Sequence, residues 1–414
     1  MLGWYAFYTK LTRHTYNMQR SFNRATIRRR PSFNQGRAYP RRGFQGGRID
    51  VSRFINKAVI TEEAEHFVPE HLFADFKISQ TLKNNIIAKG YETPTPIQDR
   101  AIPHILQGTD VVGIANTGTG KTAAFLIPLI NKVVDNPNEQ ILIVVPTREL
   151  GVQINSELQG FTGRMGIFSV CCIGGASVGR QIADLRRRHN FIIGTPGRIK
   201  DFIMRGLINL SKFNTVVLDE ADRMLDMGFI NDMRFMMDRM PKERQTLFFS
   251  ATLSPDISGL IKTFLRNPVI ISVKTGNTPK SVDQDIVKIQ HGELKIDVLQ
   301  KLLLNRSDFS KVLIFGKTKH GVERLSRMLA ERGFKVESIH GNKNYSRRQK
   351  ALGLFKDNRI QALIATDVAA RGIDIADISH VINYDLPATY EDYIHRIGRT
   401  GRINKFGKAL TFIE

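Results

Sequence analysis

The sequence predicts an α/β protein made of two parallel-sheet domains, and three observations support this. The chain has 414 residues, which is enough for two domains of ordinary size and a tail. From Phe73 onward, short β-branched runs alternate with amphipathic stretches, as in repeated strand-helix units. Two sets of such runs flank a polar stretch at residues 275–282, which we interpret as an interdomain linker. We therefore expect one domain over residues 71–274 and a second over residues 283–414.

Each predicted strand is a short apolar run. The first domain contains the runs Val111–Ile114, Ile141–Val145, Phe168–Ile173, Phe191–Ile193, Thr215–Leu218 and Thr246–Phe249. The second domain contains the runs Lys311–Phe315, Lys335–Ile339, Ala362–Ile364, Val381–Ile382 and Ala409–Phe412. The stretches between these strands are predicted to be helical.

Residues 1–70 are predicted to form a disordered basic arm. The formal net charge of the chain is +22, and residues 1–50 alone hold eleven Lys or Arg against one acid, Asp50. Arginines interleaved with glycine and aromatic residues are typical of arms that bind phosphates and stack on bases, so a polyanionic partner is expected. An organelle transit peptide is the alternative, because the stretch is Arg-rich and nearly free of acids.

The remaining composition excludes some classes of protein. No apolar stretch reaches the length of a membrane span, so no membrane partner is expected. The two cysteines, Cys171 and Cys172, are adjacent within an apolar run. They are predicted to be packed thiols in a strand, not a disulfide framework or a metal site.

A glycine-rich segment follows the first predicted strand. It reads Ala115-Asn116-Thr117-Gly118-Thr119-Gly120-Lys121-Thr122. Such a segment suits a loop whose backbone N–H groups surround phosphate oxygens at a helix N-terminus. Lys121 is predicted to contact the β- and γ-phosphates, and the Thr122 hydroxyl to ligate Mg²⁺. Ala115 departs from the strict pattern, which has glycine there, and the segment alone is also compatible with an ordinary strand-to-helix turn.

An acidic segment, Asp219-Glu220-Ala221-Asp222, follows the predicted strand that ends at Leu218. Asp219 is predicted to hold Mg²⁺, and Glu220 to orient or deprotonate the attacking water. By itself the segment is also compatible with an acidic loop after a core strand. Paired with the phosphate loop, it predicts a nucleoside triphosphatase site.

These segments resemble one family, the DEAD-box ATP-dependent RNA helicases, whose name spells residues 219–222. The resemblance extends from about Phe73 to Glu414. It implies two RecA-like domains in tandem, an ATP-binding domain followed by a helicase C-terminal domain. It also implies ATP and Mg²⁺ as ligands and RNA as the partner.

The segment from Gly90 to Gln98 resembles the Q motif of this family, with Phe73 as its upstream aromatic residue. The Gln98 amide can donate to and accept from the edge of adenine. The Phe73 ring can stack on the base. Selectivity for adenine is therefore predicted.

Three segments that follow strands of the first domain resemble the RNA-contacting motifs. Their candidate RNA-binding residues are Pro146, Thr147, Arg148, Gly174, Gly175, Thr195 and Arg198. Small hydroxyls, exposed N–H groups and arginines suit a sugar-phosphate backbone and carry little base information, so binding independent of RNA sequence is expected. Taken one at a time, each segment is equally compatible with an ordinary helix cap.

The Ser250-Ala251-Thr252 segment resembles the motif that links nucleotide binding to strand separation. The hydroxyls of Ser250 and Thr252 are predicted to form hydrogen bonds with Asp222. His395 is expected to take part in the same coupling.

Motifs V and VI of the family have counterparts in the second domain. The resemblance implies that Thr366 contacts RNA and that Gly372 and Asp374 contact the nucleotide. It implies that Arg399 and Arg402 act as arginine fingers on the transferring phosphoryl group. A dense basic cluster could otherwise be a solvated or RNA-facing surface.

One motif departs from the family pattern. Where motif IVa usually has Gln followed three residues later by Arg, this chain has Tyr345 and Arg348. Arg348 is still predicted to contact RNA, although a phenol replaces the amide. Phe315 in motif IV is expected to be a structural support. His320 and His340 are interpreted as ordinary polar residues.

The distribution of these motifs over two domains predicts a two-state clamp. ATP and RNA each bind both domains, so each favours closure and raises the affinity for the other. Closure would separate an RNA duplex locally or remodel a ribonucleoprotein, and hydrolysis would reopen the clamp. The alternatives are a slowly hydrolysing RNA clamp or scaffold without strand separation, and a DNA helicase. We expect a cytoplasmic monomer with ribonucleoprotein partners, or an organelle-matrix protein if the arm is a transit peptide.

Overall fold

The computed structural model describes residues 54–56, 67–116, 118–273, 281–370, 375, 377–401 and 406–413. Most of the predicted arm and of the predicted linker lies outside the described residues. So do four predicted site residues, Thr117, Gly372, Asp374 and Arg402.

In the part of the chain that the structure describes, the first lobe contains a seven-stranded sheet. Its strands are β1 (Val111–Ile114), β2 (Ile141–Val144), β3 (Ser169–Cys172), β4 (Phe191–Gly194), β5 (Thr215–Leu218), β6 (Gln245–Ser250) and β7 (Val269–Ser272). The order across the sheet is β3-β4-β2-β5-β6-β1-β7, and every pairing is parallel. All seven strands therefore end at the same edge.

Helices cover both faces of this sheet. They are α1 (Gln80–Ala88), α2 (Pro96–Leu106), α3 (Lys121–Asp135), α4 (Arg148–Phe161), α5 (Val178–Leu185), α6 (Pro196–Met204), α7 (Ala221–Asp226), α8 (Ile230–Met237) and α9 (Pro255–Phe264). Successive strand residues point to opposite faces. Val111 packs in the same core cluster as Phe125 of α3, whereas Val112 packs with Phe202 of α6.

The second lobe has the same architecture. Its strands are β8 (Val282–Lys288), β9 (Val312–Phe315), β10 (Val336–Ile339), β11 (Ala362–Ala365), β12 (His380–Asn383) and β13 (Gly407–Ile413). Its helices are α10 (Lys295–Leu304), α11 (Lys319–Glu331), α12 (Tyr345–Lys356), α13 (Asp367–Ala370) and α14 (Tyr390–Ile397). The strand order is β10-β11-β9-β12-β13-β8, again with parallel pairings.

The predicted fold class of two parallel-sheet lobes in tandem is confirmed. Every predicted strand is present to within two residues of its expected bounds. The sequence patterns do not predict β7 and β8, each of which is one of the two edge strands of its sheet. Polar residues interrupt β8, so it lacks the continuous apolar run of a buried strand. The run Val269–Ile271 of β7 is apolar and as long as the predicted run Phe191–Ile193, so β7 could have been predicted from the sequence. Among the described residues, no helix is both long and apolar enough to cross a lipid bilayer.

Candidate functional site

The loops of the predicted nucleotide site follow three neighbouring strands. β5, β6 and β1 lie side by side in the first sheet. They lead into residues 219–222, residues 250–252 and residues 115–120, respectively. Ligands of open parallel sheets bind at the carboxyl ends of the strands. The fold therefore brings the phosphate loop, the acidic loop and the predicted coupling loop together.

The phosphate loop ends in a left-handed glycine. Gly120 has a φ of 93° and caps the 15-residue helix α3, and a Cβ atom there would collide with the Gln98 amide. The buried Lys121 donates from Nζ to the Ala115 carbonyl at 3.0 Å, across the loop. Thr122 lies half-buried in the first turn of the same helix. A glycine turn that leads into a helix N-terminus is an arrangement that binds anions in other proteins.

The rest of the loop is more open. Gly118 is exposed, with a φ of 83°, and Thr119 is half-buried. The Thr119 hydroxyl donates to the Asn116 carbonyl at 2.9 Å, which closes the turn before α3.

Gln98 lies next to this loop. It is 1% exposed and accepts at Oε1 from the Thr95 backbone N–H at 2.9 Å, while its Nε2 donates to the Gly120 carbonyl at 3.1 Å. Its amide thus holds the phosphate loop. Contact with adenine remains a prediction. An amide has two N–H donors and two acceptor lone pairs, so Gln98 can make such a contact while it keeps both of these hydrogen bonds.

Phe73 is packed in the first-lobe core. Its ring is 3% exposed and lies 6.0 Å from the rings of both Phe76 and Tyr91 in edge-to-face arrangements. Stacking on a base also remains a prediction, and it requires this ring to move out of its present packing.

The acidic loop combines burial and backbone strain. Asp219 is 3% exposed, and burial raises its pKa to about 6 although Lys121 opposes the shift. Glu220 adopts a φ of 51°, which is uncommon for a residue other than glycine. Such strain concentrates at functional positions. The Asp219 carboxylate and the Thr122 hydroxyl are hard oxygen donors of the type that Mg²⁺ prefers, so these residues fit that ion.

Asp222 connects the acidic loop to the coupling loop. One of its carboxylate oxygens accepts from the Ala251 N–H at 3.0 Å, the Thr252 N–H at 3.1 Å and the Thr252 hydroxyl at 3.3 Å. The Ser250 hydroxyl donates to the Thr252 carbonyl at 2.8 Å instead of Asp222. One of the two predicted hydroxyls therefore makes the contact directly, and the other fixes the turn.

The second lobe places motif VI around a buried arginine. Arg396 is 2% exposed, and its guanidinium donates hydrogen bonds from two nitrogens to the Asp367 carboxylate, one of them at 2.8 Å. It also donates to Asn383 at 3.2 Å and to the Asp385 carbonyl at 2.6 Å. Its guanidinium lies 5.1 Å from the Phe315 ring centroid, the support expected from the sequence.

Arg399 and His395 line a small cavity beside this network, together with Asp392 and Ala370. Arg399 is 4% exposed and donates from Nε to the His395 carbonyl at 3.3 Å. Thr366 lies half-buried at the end of β11, where its carbonyl accepts from the Ala370 N–H at 2.9 Å. The other motif V and VI candidates are among the residues that the structure does not describe.

The predicted RNA-contacting segments of the first lobe follow the other three neighbouring strands, β3, β4 and β2. The Arg148 guanidinium lies against Gly174 and Gly175, so closely that a Cβ atom on Gly175 would collide with it. Pro146 and Thr147 are buried, and Thr147 caps α4 by accepting from the Leu150 N–H at 3.3 Å.

Thr195 and Arg198 lie at the start of α6. The Thr195 carbonyl accepts from the Arg198 N–H at 3.1 Å, and Arg198 donates from Nη1 to Gln181 at 3.2 Å. Gln181, 5% exposed, also exchanges two hydrogen bonds with the Ile173 backbone at 3.0 and 3.2 Å. It therefore ties the end of β3 to Arg198.

Arg348 makes a contact between the lobes near the predicted RNA-contacting segments. Its Nη2 lies 2.9 Å from Oε1 of Glu149 on α4, in ion-pair rather than hydrogen-bond geometry, and both side chains are at most 10% exposed. Burial lowers the pKa of Arg348, and Glu149 partly offsets this. Tyr345 lies beside it, and a Cβ atom on Gly175 would be 3.4 Å from that of Tyr345. The departure from the family pattern thus lies at the contact between the lobes.

A second contact between the lobes lies beside the acidic loop. Nη1 of the buried Arg223, which directly follows residues 219–222, is 3.8 Å from Oδ1 of Asp392 on α14. The same arginine nitrogen is 3.4 Å from Asp226. The two lobes therefore meet near both sets of motifs.

Sequence patterns missed four residues that organise the site, namely Gln181, Glu149, Asp367 and Arg396. All are polar side chains in helices, where a sequence cannot separate a buried hydrogen-bonding role from a solvated one. Their only sequence signal is their position within or near a motif. Asp367 and Arg396 lie within the segments that resemble motifs V and VI.

The cysteines and histidines behave as ordinary residues. Cys171 and Cys172 are free thiols on β3, and burial raises the pKa of Cys171 to about 12 and that of Cys172 still further. His340 Nε2 lies 3.0 Å from Glu323, whereas His320 is exposed. In the described ranges, no group of three or more His, Cys, Asp or Glu residues is arranged to hold a metal ion.

Comparison with known proteins places both lobes in one family. The DEAD/DEAH box helicase model matches residues 95–260, and the helicase conserved C-terminal domain model matches residues 294–404. The chain is 43% identical over 344 residues to the ATP-dependent RNA helicase CshA of Listeria monocytogenes, covering 83% of this chain and 66% of that protein. It is 44% identical over 345 residues to the DEAD-box ATP-dependent RNA helicase CshA of Bacillus subtilis, covering 82% and 69%.

A solved structure of S. cerevisiae Dbp5 bound to RNA and ADP BeF3 superposes on this chain with a TM-score of 0.73. The two are 31% identical, and the match covers 83% of this chain and 89% of that one. The chain spans about two thirds of the length of the two CshA relatives. From these matches and the arrangement of motifs on two parallel-sheet lobes, the chain belongs to the DEAD-box ATP-dependent RNA helicases.

Proposed function

We propose that this protein is an RNA-stimulated ATPase that closes its two lobes on ATP and RNA, separates RNA duplexes locally or remodels ribonucleoproteins, and reopens on hydrolysis. The observation that carries this proposal is the pair of contacts between the lobes. Arg348 meets Glu149 near the RNA motifs, and Arg223 meets Asp392 near the acidic loop. The likeness to Dbp5 bound to RNA and ADP BeF3 supports the same ligand classes.

The first lobe would bind ATP through its phosphate loop and position the attacking water. Lys121 exchanges the Ala115 carbonyl for the β- and γ-phosphates, and the N–H groups at the start of α3 surround their oxygens. Glu220 orients or deprotonates the water. Mg²⁺, held by Asp219 and Thr122, would neutralise phosphate charge.

The second lobe would supply the guanidinium groups. Arg399 lies beside the buried pair of Arg396 and Asp367, which fixes the backbone around it. Arginine fingers contribute roughly 10³ to 10⁵ in rate in other triphosphatases. Arg402 is proposed for the same role from the family motif. Hydrolysis would therefore require both lobes to meet.

The coupling between hydrolysis and RNA would pass through Asp222. It holds the turn that contains Thr252 by three hydrogen bonds, so a change in the acidic loop moves that turn. On the RNA side, Arg148, Arg198, Thr366 and Arg348 would grip the sugar-phosphate backbone. Shifting closure from 1:99 to 99:1 takes about 5.5 kcal/mol of differential binding, which two ligands can share.

The test is a fluorescent duplex-release assay combined with RNA-stimulated hydrolysis. We expect wild type to release a strand only with ATP. Glu220→Gln should bind ATP and RNA but hydrolyse about 10²- to 10⁴-fold more slowly, because it lacks the base. Glu331→Gln, the same change at an exposed position on α11, serves as the matched control and should behave as wild type.

Two outcomes would replace the proposal. If wild type retains RNA with ATP but releases no strand, the protein is a clamp or scaffold. If DNA stimulates hydrolysis as strongly as RNA, it is a DNA helicase. We further propose a monomer in the cytoplasm, with the organelle matrix as the alternative. A fusion of residues 1–70 to a fluorescent protein would show whether they direct import.

A further inference from the structure

Two residues that precede the first lobe in sequence, Phe54 and Asn56, contact the second lobe. Phe54 is 1% exposed and belongs to a small core cluster with Val282, Tyr393, Ile397 and Ala409. Four of these five residues lie in the second lobe, more than two hundred positions away along the chain. The second lobe therefore includes a side chain from upstream of the first.

The backbone of this segment extends the second sheet. The Asn56 N–H donates to the Gln284 carbonyl at 3.0 Å, and the Gln284 N–H donates to the Asn56 carbonyl at 2.8 Å. This reciprocal pair forms an antiparallel bridge on β8, the edge strand of the sheet. Both hydrogen bonds and a buried aromatic ring thus fix the segment in place.

The segment contacts the helix that leads into Arg399. The Phe54 ring packs edge-to-face against Tyr393 of α14, with centroids 4.8 Å apart. The fully buried Tyr393 donates its hydroxyl to the Gln284 side chain at 3.0 Å. Gln284 is the same residue whose backbone pairs with Asn56. One face of α14 is therefore held by Phe54 and by β8 together.

The start of β8 also holds the chain that follows Arg399. The Ser281 hydroxyl donates to the Gly401 carbonyl at 2.7 Å. Gly401 has a φ of 66°, and a Cβ atom there would lie 2.8 Å from the Val282 side chain. Arg399 thus lies between two places where this small cluster fixes the backbone.

We propose that Phe54–Asn56 form a positioning segment that sets the orientation of α14 and, through it, of Arg399. The inference rests on the proposed role of Arg399 in hydrolysis. An eight-residue helix has little stability or fixed orientation of its own, so packing must supply both. Loss of the Phe54 ring would let α14 rotate toward the vacated space. Phe54 itself touches no reacting group and acts only through Tyr393.

The test compares Phe54→Ala with Phe334→Ala in the full-length protein. Phe334 is a buried ring of the same lobe, but it lies in a different core cluster away from α14. We expect both variants to lower the melting temperature. At a temperature where both are folded, only Phe54→Ala should lower kcat of RNA-stimulated hydrolysis, by about ten- to a hundredfold, because small displacements of a catalytic group cost that much. KM for ATP should stay unchanged, and Phe54→Leu should restore most of kcat.

A double-mutant cycle with Arg399→Ala distinguishes the proposed role of Arg399 in hydrolysis from the proposed positioning role of Phe54. If Arg399→Ala leaves kcat unchanged, the proposed function of that arginine fails. If Arg399→Ala lowers kcat but Phe54→Ala lowers it no more than Phe334→Ala, the positioning role fails and the proposed function stands. We expect the effect of Phe54→Ala to disappear in the Arg399→Ala background, because an absent side chain cannot be misplaced.

Discussion

At the scale of single residues, Glu220 shows how a strained backbone is maintained. A non-glycine residue in the left-handed region costs on the order of 1 to 3 kcal/mol. Its N–H donates to Asp219 at 3.0 Å, and its carbonyl accepts from Arg223 at 2.9 Å and Met224 at 3.1 Å. Hydrogen bonds therefore fix both the N–H and the carbonyl of Glu220. The left-handed backbone points its side chain in a different direction from that of a residue in a right-handed helix.

His380 gives a prediction about stability and pH. It is 3% exposed and its ring stacks on Phe309 at 4.0 Å. Burial lowers its pKa to about 4, and Lys408 adds to the shift. An unfolded histidine has a pKa of about 6.5. Between these values the unfolded chain binds a proton that the folded chain does not, so the contribution to stability is complete above pH 6.5 and is lost as pH falls toward 4.

The measurement is denaturant unfolding of wild type and His380→Phe at pH 7, 6 and 5. As the pH falls, the free energy of unfolding should decrease more steeply for wild type than for the variant. The difference in slope should reach up to about 1.4 kcal/mol per pH unit. Phenylalanine keeps the stack on Phe309 and does not titrate. Equal slopes for the two proteins would show that His380 takes up its proton normally when folded.

At the scale of elements, apolar runs predicted the buried strands because a strand covered on both faces must be apolar throughout. The same reasoning missed β8, whose first four residues alternate between buried and half-buried. It also located the loops of the predicted nucleotide site, since each follows a buried strand. Apolar runs could not show that Phe54 packs in the second lobe. The residues around Phe54 carry no strand or helix pattern, and its partner Tyr393 is more than three hundred positions away along the chain.

Helices α4 and α12 give a prediction about lobe closure. The contact between Arg348 and Glu149 is buried, and removing one partner of a buried pair typically costs about 3 to 5 kcal/mol. Arg348→Glu should therefore separate the lobes, and the swap Arg348→Glu with Glu149→Arg should bring them back. The measurement is the distance between fluorescent labels on the two lobes.

The swap also tests the proposed RNA contact of Arg348. Because the reversed pair has no arginine at position 348, RNA affinity should stay low even where closure is restored. If both single reversals leave the label distance unchanged, the ion pair does not hold the lobes together. If the swap restores RNA affinity in full, Arg348 acts on the lobes and not on RNA.

At the scale of the whole molecule, the charge is concentrated at one end of the chain. Eleven of the 61 basic residues lie within residues 1–48, where there is no acidic residue. Deleting these 48 residues should weaken RNA binding and reduce its dependence on salt. The slope of log binding constant against log salt concentration should become less steep by about 0.7 for each phosphate that the arm neutralises in the full-length protein. Binding titrations from about 50 to 200 mM salt measure this slope.

The deletion ends before Phe54, so it leaves the positioning segment in place. We therefore expect kcat at saturating RNA to remain near the wild-type value. An unchanged salt slope would mean that the basic residues of the arm do not bind RNA phosphates.

The two native thiols have a practical consequence for such measurements. Maleimides react with thiolates, and a thiol whose pKa is raised to about 12 by burial is almost entirely protonated at neutral pH. Cys171 and Cys172 should therefore modify slowly, while a cysteine introduced at an exposed position on each lobe modifies quickly. Dyes can be attached to the otherwise unaltered sequence, so the proposed opening and closing of the two lobes can be tested in real time without replacing either native cysteine.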